Sequence, residues 1–564
     1  MSWKLKKKFH DILDQERGYE KKIWGTSPAV CLAYPNYYRT GMSNLGFQTI
    51  YALINHHTSS VCERVFLPDP EDEALFALKS IPLFSMESQK PLTDFHILAF
   101  SVPFENDYPN ILKILDMARI TLLADQRGDD EPLIMGGGVS PSLNPEPLAD
   151  FFDLFLLGEG EEVLPEFLHL FASCHALGMS RKELLLRIQR EIAGAYVPQF
   201  YEIQYSSHHL IEDIRPVHAA LPKRMEKRWI RNINTFTTEQ CISTPATEFK
   251  DMFLTEVSRG CRRGCRFCAA GFLYKPARFR DLNTLASSFM RGINDRKRVG
   301  LLGTAVSDHP EIHSLCEYVL THKGSVSMGS LRVDRLDERM VLLLAESGVE
   351  TISLAPEAGT QRLRNVIQKG ITDEHIENAV ELIIAHGIFN IRLYFMVGLP
   401  TETEEDIEGI VHLVKRIKHH AIKCSAGKKR FRRITLSMNQ FIPKPVTPFQ
   451  WHPLENINLV RKKMRNLEGT LRREKSVKVI HDVPKWNYIQ ALLSLGDRRI
   501  SKILLAAHKN NGNWSKAFKE VNVNPDFYVY RHKSFEEILP WDIIDHGISK
   551  QYLYKEFRTA MGSH

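Results

Sequence analysis

Cys261, Cys265 and Cys268 fall within eight consecutive residues. With nine cysteines in 564 residues, these offsets are expected by chance about 0.002 times, so the spacing asks for a chemical cause. A C-x3-C-x2-C loop can set three thiolates at three corners of a [4Fe–4S] cube and leave the fourth iron without a protein ligand, whereas paired C-x2-C hooks suit tetrahedral zinc. Two other readings stay open at this point: a zinc knuckle completed by His309 or His313, and a set of buried thiols. Cys31, Cys62, Cys174, Cys241, Cys316 and Cys424 stand singly and read as small hydrophobes.

A cluster loop needs elements to hold it. From residue 251 onward, apolar β-rich runs are expected as strands at 253–257, 299–304, 326–333, 351–356, 390–398 and 434–442, with helical patterns at 338–347, 372–386 and 403–417 between them. Six such units resemble a known enzyme core, the partial (β/α)6 barrel, and the resemblance implies an active face where each strand ends. The first half shows its own alternation, with strands expected at 29–35, 62–68, 95–102, 133–138 and 151–158. That pattern argues an α/β, doubly wound (Rossmann-like) domain with ligands outside the carboxyl ends of its strands. Ser101, Gly136, Gly137, Gly138, Ser140, Gly158 and Glu159 stand at those ends. Glycines there let a bulky ligand approach the backbone, or simply make tight turns.

The stretch from Gly260 to Cys268 resembles the cluster loop of the radical S-adenosylmethionine (SAM) enzymes. The resemblance implies that Cys261, Cys265 and Cys268 hold a [4Fe–4S] cluster, that Phe267 lies against adenine, and that SAM chelates the open iron. Cleavage of SAM then yields a 5′-deoxyadenosyl radical able to take hydrogen from unactivated carbon. By the same resemblance Gly303 and Thr304 receive the SAM amino group and Glu357 the ribose hydroxyls. Arg332 would pair with the SAM carboxylate, unless it is committed to Asp334 or Glu357. The segment 393–403 resembles the backbone stretch that holds adenine, with Thr401 where glycine is common.

The front half resembles the cobalamin-binding domain found ahead of many radical SAM cores, without the Asp-x-His-x-x-Gly loop that supplies a histidine to cobalt. Over residues 20–560 the chain resembles a little-characterised bacterial family of cobalamin-domain radical SAM proteins. The expected reaction is methylation of an unactivated carbon with cobalamin. The alternatives are a cobalamin-free RNA- or lipid-modifying radical enzyme and a non-catalytic cobalamin or redox sensor. A reductant such as flavodoxin or ferredoxin is the implied partner.

Composition sets the frame. At 64.9 kDa with 43% hydrophobic residues, several packed units are expected. They are a helical lead-in at 1–25, a cobalamin-type domain at 26–175, a connector at 176–250, the radical core at 251–443 and a mostly helical region at 444–564. The net charge of +7 is compatible with an anionic or nucleic-acid partner without requiring one. The basic stretch 223–231 surrounds Trp229 and reads as a solvated linker or an RNA contact. Asp497, Arg498 and Arg499 read as an ion-pair cluster or a substrate contact, and Trp486 and Trp541 as core. No apolar run reaches the ~18 residues of a spanning helix, and clustered thiolates fit a reducing compartment, so a cytoplasmic protein is expected.

Overall fold

The computed structural model describes residues 3–25, 27–249, 251–425 and 431–562. The lead-in forms a helix, Trp3–Leu13, followed by the front sheet. Its strands are β1 (Ala29–Tyr37), β2 (Val61–Leu67), β3 (Ile97–Ser101), β4 (Leu133–Gly137), β5 (Leu154–Leu156) and β6 (Ala195–Tyr196), in the order β2-β1-β3-β4-β5-β6. The first five are parallel and β6 runs antiparallel to β5. Every residue of β2 is buried, as are the first seven of β1. That continuous burial is the mark of a parallel sheet covered on both faces. The first crossover helix, Leu45–His57, starts where the Asn44 side chain accepts from the Phe47 amide at 2.9 Å.

The expected six-unit barrel is built, with a seventh parallel strand. The strands are β7 (Phe253–Glu256), β8 (Arg298–Leu302), β9 (Ser325–Met328), β10 (Thr351–Glu357), β11 (Asn390–Val397), β12 (Arg433–Gln440) and β13 (Val477–His481). β7, β8 and β9 pair in parallel, as do β10 through β13. The Leu331 amide donates to the Ser353 carbonyl at 2.9 Å and joins the two groups. β13 lies past the expected end of the core at residue 443. Its crossover helix, Ile457–Leu471, follows the segment that carries Pro443, Pro445 and Pro448.

Unlike β1 and β2, the strands β10 and β11 alternate. On β11 Ile391, Leu393, Phe395 and Val397 are buried among the helices, while Asn390, Arg392, Tyr394 and Met396 on the opposite, inner face are half-buried or exposed. On β10 the inner residues are Ser353, Ala355 and Glu357. The inner face is therefore polar and open, which is what a site built inside a partial barrel requires.

The regions on either side are not independent. The helices Pro484–Leu495 and Ile500–Lys509 share one hydrophobic core with the front sheet, and Ile544–Asp545 pairs in parallel with Met225–Glu226 of the connector. The Asp497–Arg499 cluster is structural: Arg498 binds Glu146 and the Tyr196 hydroxyl, and Arg499 binds Asp497. Trp541 is core, as expected, but Trp486 is 47% exposed. No described helix is long and apolar enough to cross a membrane.

Candidate active site at the barrel mouth

The cysteine loop leaves the end of β7. Gly260 takes φ +81°, and a Cβ there would meet the Tyr274 carbonyl oxygen at 2.2 Å, so glycine alone lets the loop turn back on itself. The Cys268 amide donates to the Cys265 carbonyl at 3.0 Å, the Gly271 amide donates to the Cys268 carbonyl at 3.1 Å, and the Arg263 amide approaches Cys261 Sγ at 3.3 Å. Arg263 is clamped by Asp308 after β8 and by Asp334 after β9, at 2.9 and 3.4 Å. Arg266 pairs with Glu556 of the last helix at 3.0 Å. Arg263 and Arg266 thus fasten the loop to the barrel and to the C-terminal helix.

Neither histidine that could complete a zinc knuckle joins the loop. His309 is buried with Nε2 on the Arg280 carbonyl and Nδ1 accepting from the Glu311 amide, and His313 faces Asp337. Burial pushes the Cys268 thiol up to about 11. Burial also raises Cys265, while Lys369 and Arg332 oppose the rise. These cations favour the thiolate that a metal requires.

Of the residues expected to bind SAM, Arg332 and Glu357 converge beside Cys265. Glu357, at the end of β10 with φ +69°, accepts from Lys369 Nζ at 3.0 Å through Oε1. Arg332 Nε donates to Asp334 at 3.0 Å and its NH2 to the Lys369 carbonyl at 3.1 Å. The ion pair weighed as an alternative for Arg332 is therefore present, and it fixes the guanidinium at the barrel mouth rather than removing it. Phe267 is half-buried against a small apolar group that includes Leu363, Leu399 and Met396, with Lys369 Nζ 5.9 Å from its ring. A Cβ on Gly303 would meet Ser258 Oγ at 2.3 Å, and that buried hydroxyl lacks a hydrogen-bond partner among the described residues. Thr304 is exposed beside it. Thr401 takes φ +62°, the left-handed conformation that explains why glycine suits that position. Sequence reasoning missed Lys369. It sits 12 residues beyond Glu357 with no motif around it, and only the fold brings it back.

The front-domain residues divide. Ser101 and Gly137 are register partners at the ends of β3 and β4, both half-buried, and a Cβ on Gly137 would meet only the Leu156 carbonyl oxygen at 3.6 Å. The remaining positions are committed to the protein itself. Gly136 lies against Phe155 and Phe152, and Gly138 against Val102. Ser140 is buried within the short helix Val139–Leu143, whose Leu143 packs with Phe272, Val446 and Trp451. A Cβ on Gly158 would fall 2.0 Å from the Arg228 carbonyl oxygen. Glu159 is held by Arg278 at 2.6 Å, by Arg259 at 3.1 Å and by the Ile230 amide at 2.9 Å. Burial would raise Glu159, but Arg278 and Arg259 outweigh it and hold the carboxyl below its usual range. Arg259 also binds Glu161 and Glu256, and Arg280 binds Glu256. This six-residue network ties the front sheet to the base of the cysteine loop. Gly158 and Glu159 therefore do not face a ligand space, because the connector and the barrel arginines cover them.

Comparison with known proteins adds to this geometry. Residues 46–198 match the family described as radical SAM proteins, N-terminal, and residues 255–414 match the radical SAM superfamily. An uncharacterised protein of Methanocaldococcus jannaschii is 29% identical over 480 residues, 84% of this chain and 90% of that protein. A threonylcarbamoyladenosine tRNA methylthiotransferase of Aquifex aeolicus is 25% identical over 173 residues, 29% of this chain and 42% of that one. Among solved structures, the radical SAM methyltransferase TsrM from Kitasatospora setae aligns at 13% identity over 73% of each chain, with a TM-score of 0.47. The cobalamin-dependent enzyme OxsB aligns at 14% identity over 95% of this chain and 79% of that one, with a TM-score of 0.49.

Proposed function

The chain belongs to the radical SAM superfamily and is an enzyme, and from that premise we propose that it cleaves SAM reductively at the barrel mouth to perform radical chemistry on an unactivated carbon. One observation carries the reading: the cysteine loop, Arg332, and Glu357 with Lys369 come from three separate βα units and meet around Cys265. Superfamily membership implies a [4Fe–4S] cluster and SAM, and Cys261, Cys265 and Cys268 are the residues that would hold the cluster. When bound, it supplies the electron that breaks the SAM sulfonium and yields a 5′-deoxyadenosyl radical.

The chain's own residues bind and orient. Arg332, already braced by Asp334 and the Lys369 carbonyl, offers its remaining guanidinium donors to a carboxylate with little rotamer freedom left to lose. Glu357 keeps Oε2 to accept from ribose hydroxyls while Lys369 holds Oε1. Phe267 offers adenine a flat face, and Gly303 leaves the second strand's end without a side chain where the SAM amino group would lie. The electron comes from a reductant, for which a flavodoxin or ferredoxin is suited.

Of the positions expected to cradle cobalamin, Gly136, Gly158 and Glu159 are covered by Phe155, Arg228, Arg259 and Arg278, so a corrin would meet the front sheet at Ser101 and Gly137. The direct test is anaerobic reconstitution with iron and sulfide, dithionite reduction and assay of 5′-deoxyadenosine. Formation that is lost in Cys265→Ala supports the proposal, and cluster-loaded protein that leaves SAM intact overturns it.

A further inference from the structure

A cavity of about 620 Å³ opens against Cys261, within the range of small-molecule sites. Three separate segments wall it: the connector beyond Met225–Glu226, the residues after the cysteine loop, and the chain following Ile544–Asp545. The parallel pairing of the two short strands holds the first and last walls together, so the cavity is a product of the whole fold.

Its lining is uneven in charge. Lys227, Arg262 and Lys275 all face it, and among the described residues none has a carboxylate oxygen within salt-bridge distance. Lys227 is only 5% exposed, and its ammonium donates to the Leu273 carbonyl oxygen. A buried ammonium has three donors, so this one retains two for a ligand. Arg262 lies 5.0 Å from the Phe279 ring and Lys275 4.6 Å from that of Phe272. Two carboxylates, Glu226 and Asp545, reach the cavity, but Asp545 is engaged by the Gly547 amide and Glu226 is exposed. Burial pulls His546 down to about 4, so it is neutral at pH 7, with Nε2 on the Ser142 carbonyl.

Its shape is equally specific. Trp229 lines the cavity, and the Arg278 guanidinium lies 5.4 Å from its ring. Arg278 is itself fixed by Glu159. An indole braced by a buried ion pair is a rigid stacking platform, and every nucleobase presents a π-face to one. Clustered cations recognise the phosphate beside it. The basic stretch around Trp229 divides. Lys223, Arg224 and Arg231 are exposed, as a solvated linker face requires, Arg228 is tied to Glu166, and Lys227 and Trp229 line the cavity.

We propose that this cavity binds a nucleotide, its ring on Trp229 and its phosphate among Lys227, Arg262 and Lys275, and that the nucleotide is the substrate of the radical reaction. Only the last clause rests on the preceding reading; the binding site stands on its own residues. The nucleotide can be free or part of an RNA, and the two sources are separable. Calorimetry with the anaerobic holoprotein would use uridine 5′-monophosphate, a short single-stranded RNA and inorganic phosphate as probes. Saturable one-site binding of uridine 5′-monophosphate or the RNA is expected, and whichever is tighter names the source. The double variant Arg262→Gln with Lys275→Gln should weaken it at least tenfold, and Trp229→Leu should weaken it while leaving phosphate unaffected. The proposal is overturned if neither nucleotide probe saturates, if the double variant binds as wild type does, or if inorganic phosphate binds as tightly as the nucleotide. Assay of 5′-deoxyadenosine on the wild-type protein keeps the two readings apart. SAM cleavage without nucleotide binding ends this inference alone, and nucleotide binding without SAM cleavage ends the radical reading alone.

Discussion

Two sheet ends in this chain start from the same rule and finish differently. Ligands gather at the carboxyl ends of parallel strands, and both the front sheet and the barrel present such ends. At the barrel mouth β10 and β11 alternate, their inner face stays polar, and Cys265, Arg332, Glu357 and Lys369 converge with donors and acceptors to spare. At the front edge the strands are buried on both faces, and Glu159, Glu161 and Glu105 are spent on Arg278, Arg259 and Lys444. What separates a site from a buttress is therefore not glycine at a strand end but whether the polar groups there already have partners.

Breaking the barrel mouth should have the largest effect. Replacing any of Cys261, Cys265 or Cys268 with Ala removes one corner of the cluster. Iron content and 5′-deoxyadenosine formation should both fall to background, and a triple variant that keeps either would contradict the assignment.

Breaking the front edge should instead cost stability. Glu159→Gln leaves Arg259 and Arg278 buried with one fewer anion, a change worth about 3–5 kcal/mol, read as a lowered midpoint in chemical denaturation. Gly158→Ala should also destabilise, because its φ is +107° and the Arg228 carbonyl fills the space. A midpoint unmoved by both variants would mean that this edge is not a buttress.

A smaller effect is expected inside the site. Glu357→Gln keeps the shape but removes the charge that both Lys369 and the ribose use. SAM should bind roughly tenfold more weakly at unchanged cluster content, the scale of one charge-assisted hydrogen bond. Unchanged SAM affinity would place the ribose elsewhere in the barrel.

The smallest effect is with pH. Glu159 and Glu256 are both held below the usual carboxylate range, burial being outweighed by Arg278 and Arg259 respectively. A depressed folded pKa gives stability that is present above the unfolded value of about 4.3 and is lost as pH falls through the folded one. Denaturation midpoints should hold from pH 7 down to about 5 and then fall, with a shallower fall in Glu159→Gln. Equal slopes would remove Glu159 from the acid transition.

Much of this was legible beforehand, and unevenly. The cysteine spacing is local, so three residues sufficed to find it, and the order of Gly303, Arg332 and Glu357 after successive strands placed the mouth. The strands of the front sheet were readable from their apolar runs. Lys369 was not readable, because its role arises from a turn that returns it to Glu357. Nor was the fate of Gly158 and Glu159, since a glycine that admits a ligand and one that admits the Arg228 backbone look the same in a sequence. β13 was hidden by the prolines ahead of it, which bend the chain without ending the barrel. Trp229 and Lys227 stood in a basic stretch, but their direction into a cavity depends on a strand pair closed by residues 544–545.

The central claim is that SAM is cleaved reductively at the barrel mouth. Its most direct test is the yield of 5′-deoxyadenosine and methionine from reduced, cluster-loaded protein, measured by mass spectrometry beside the Cys265→Ala variant. The account predicts both products from the wild type and neither from the variant. Cluster-loaded wild type that leaves SAM intact, or a variant that still forms 5′-deoxyadenosine, would contradict it.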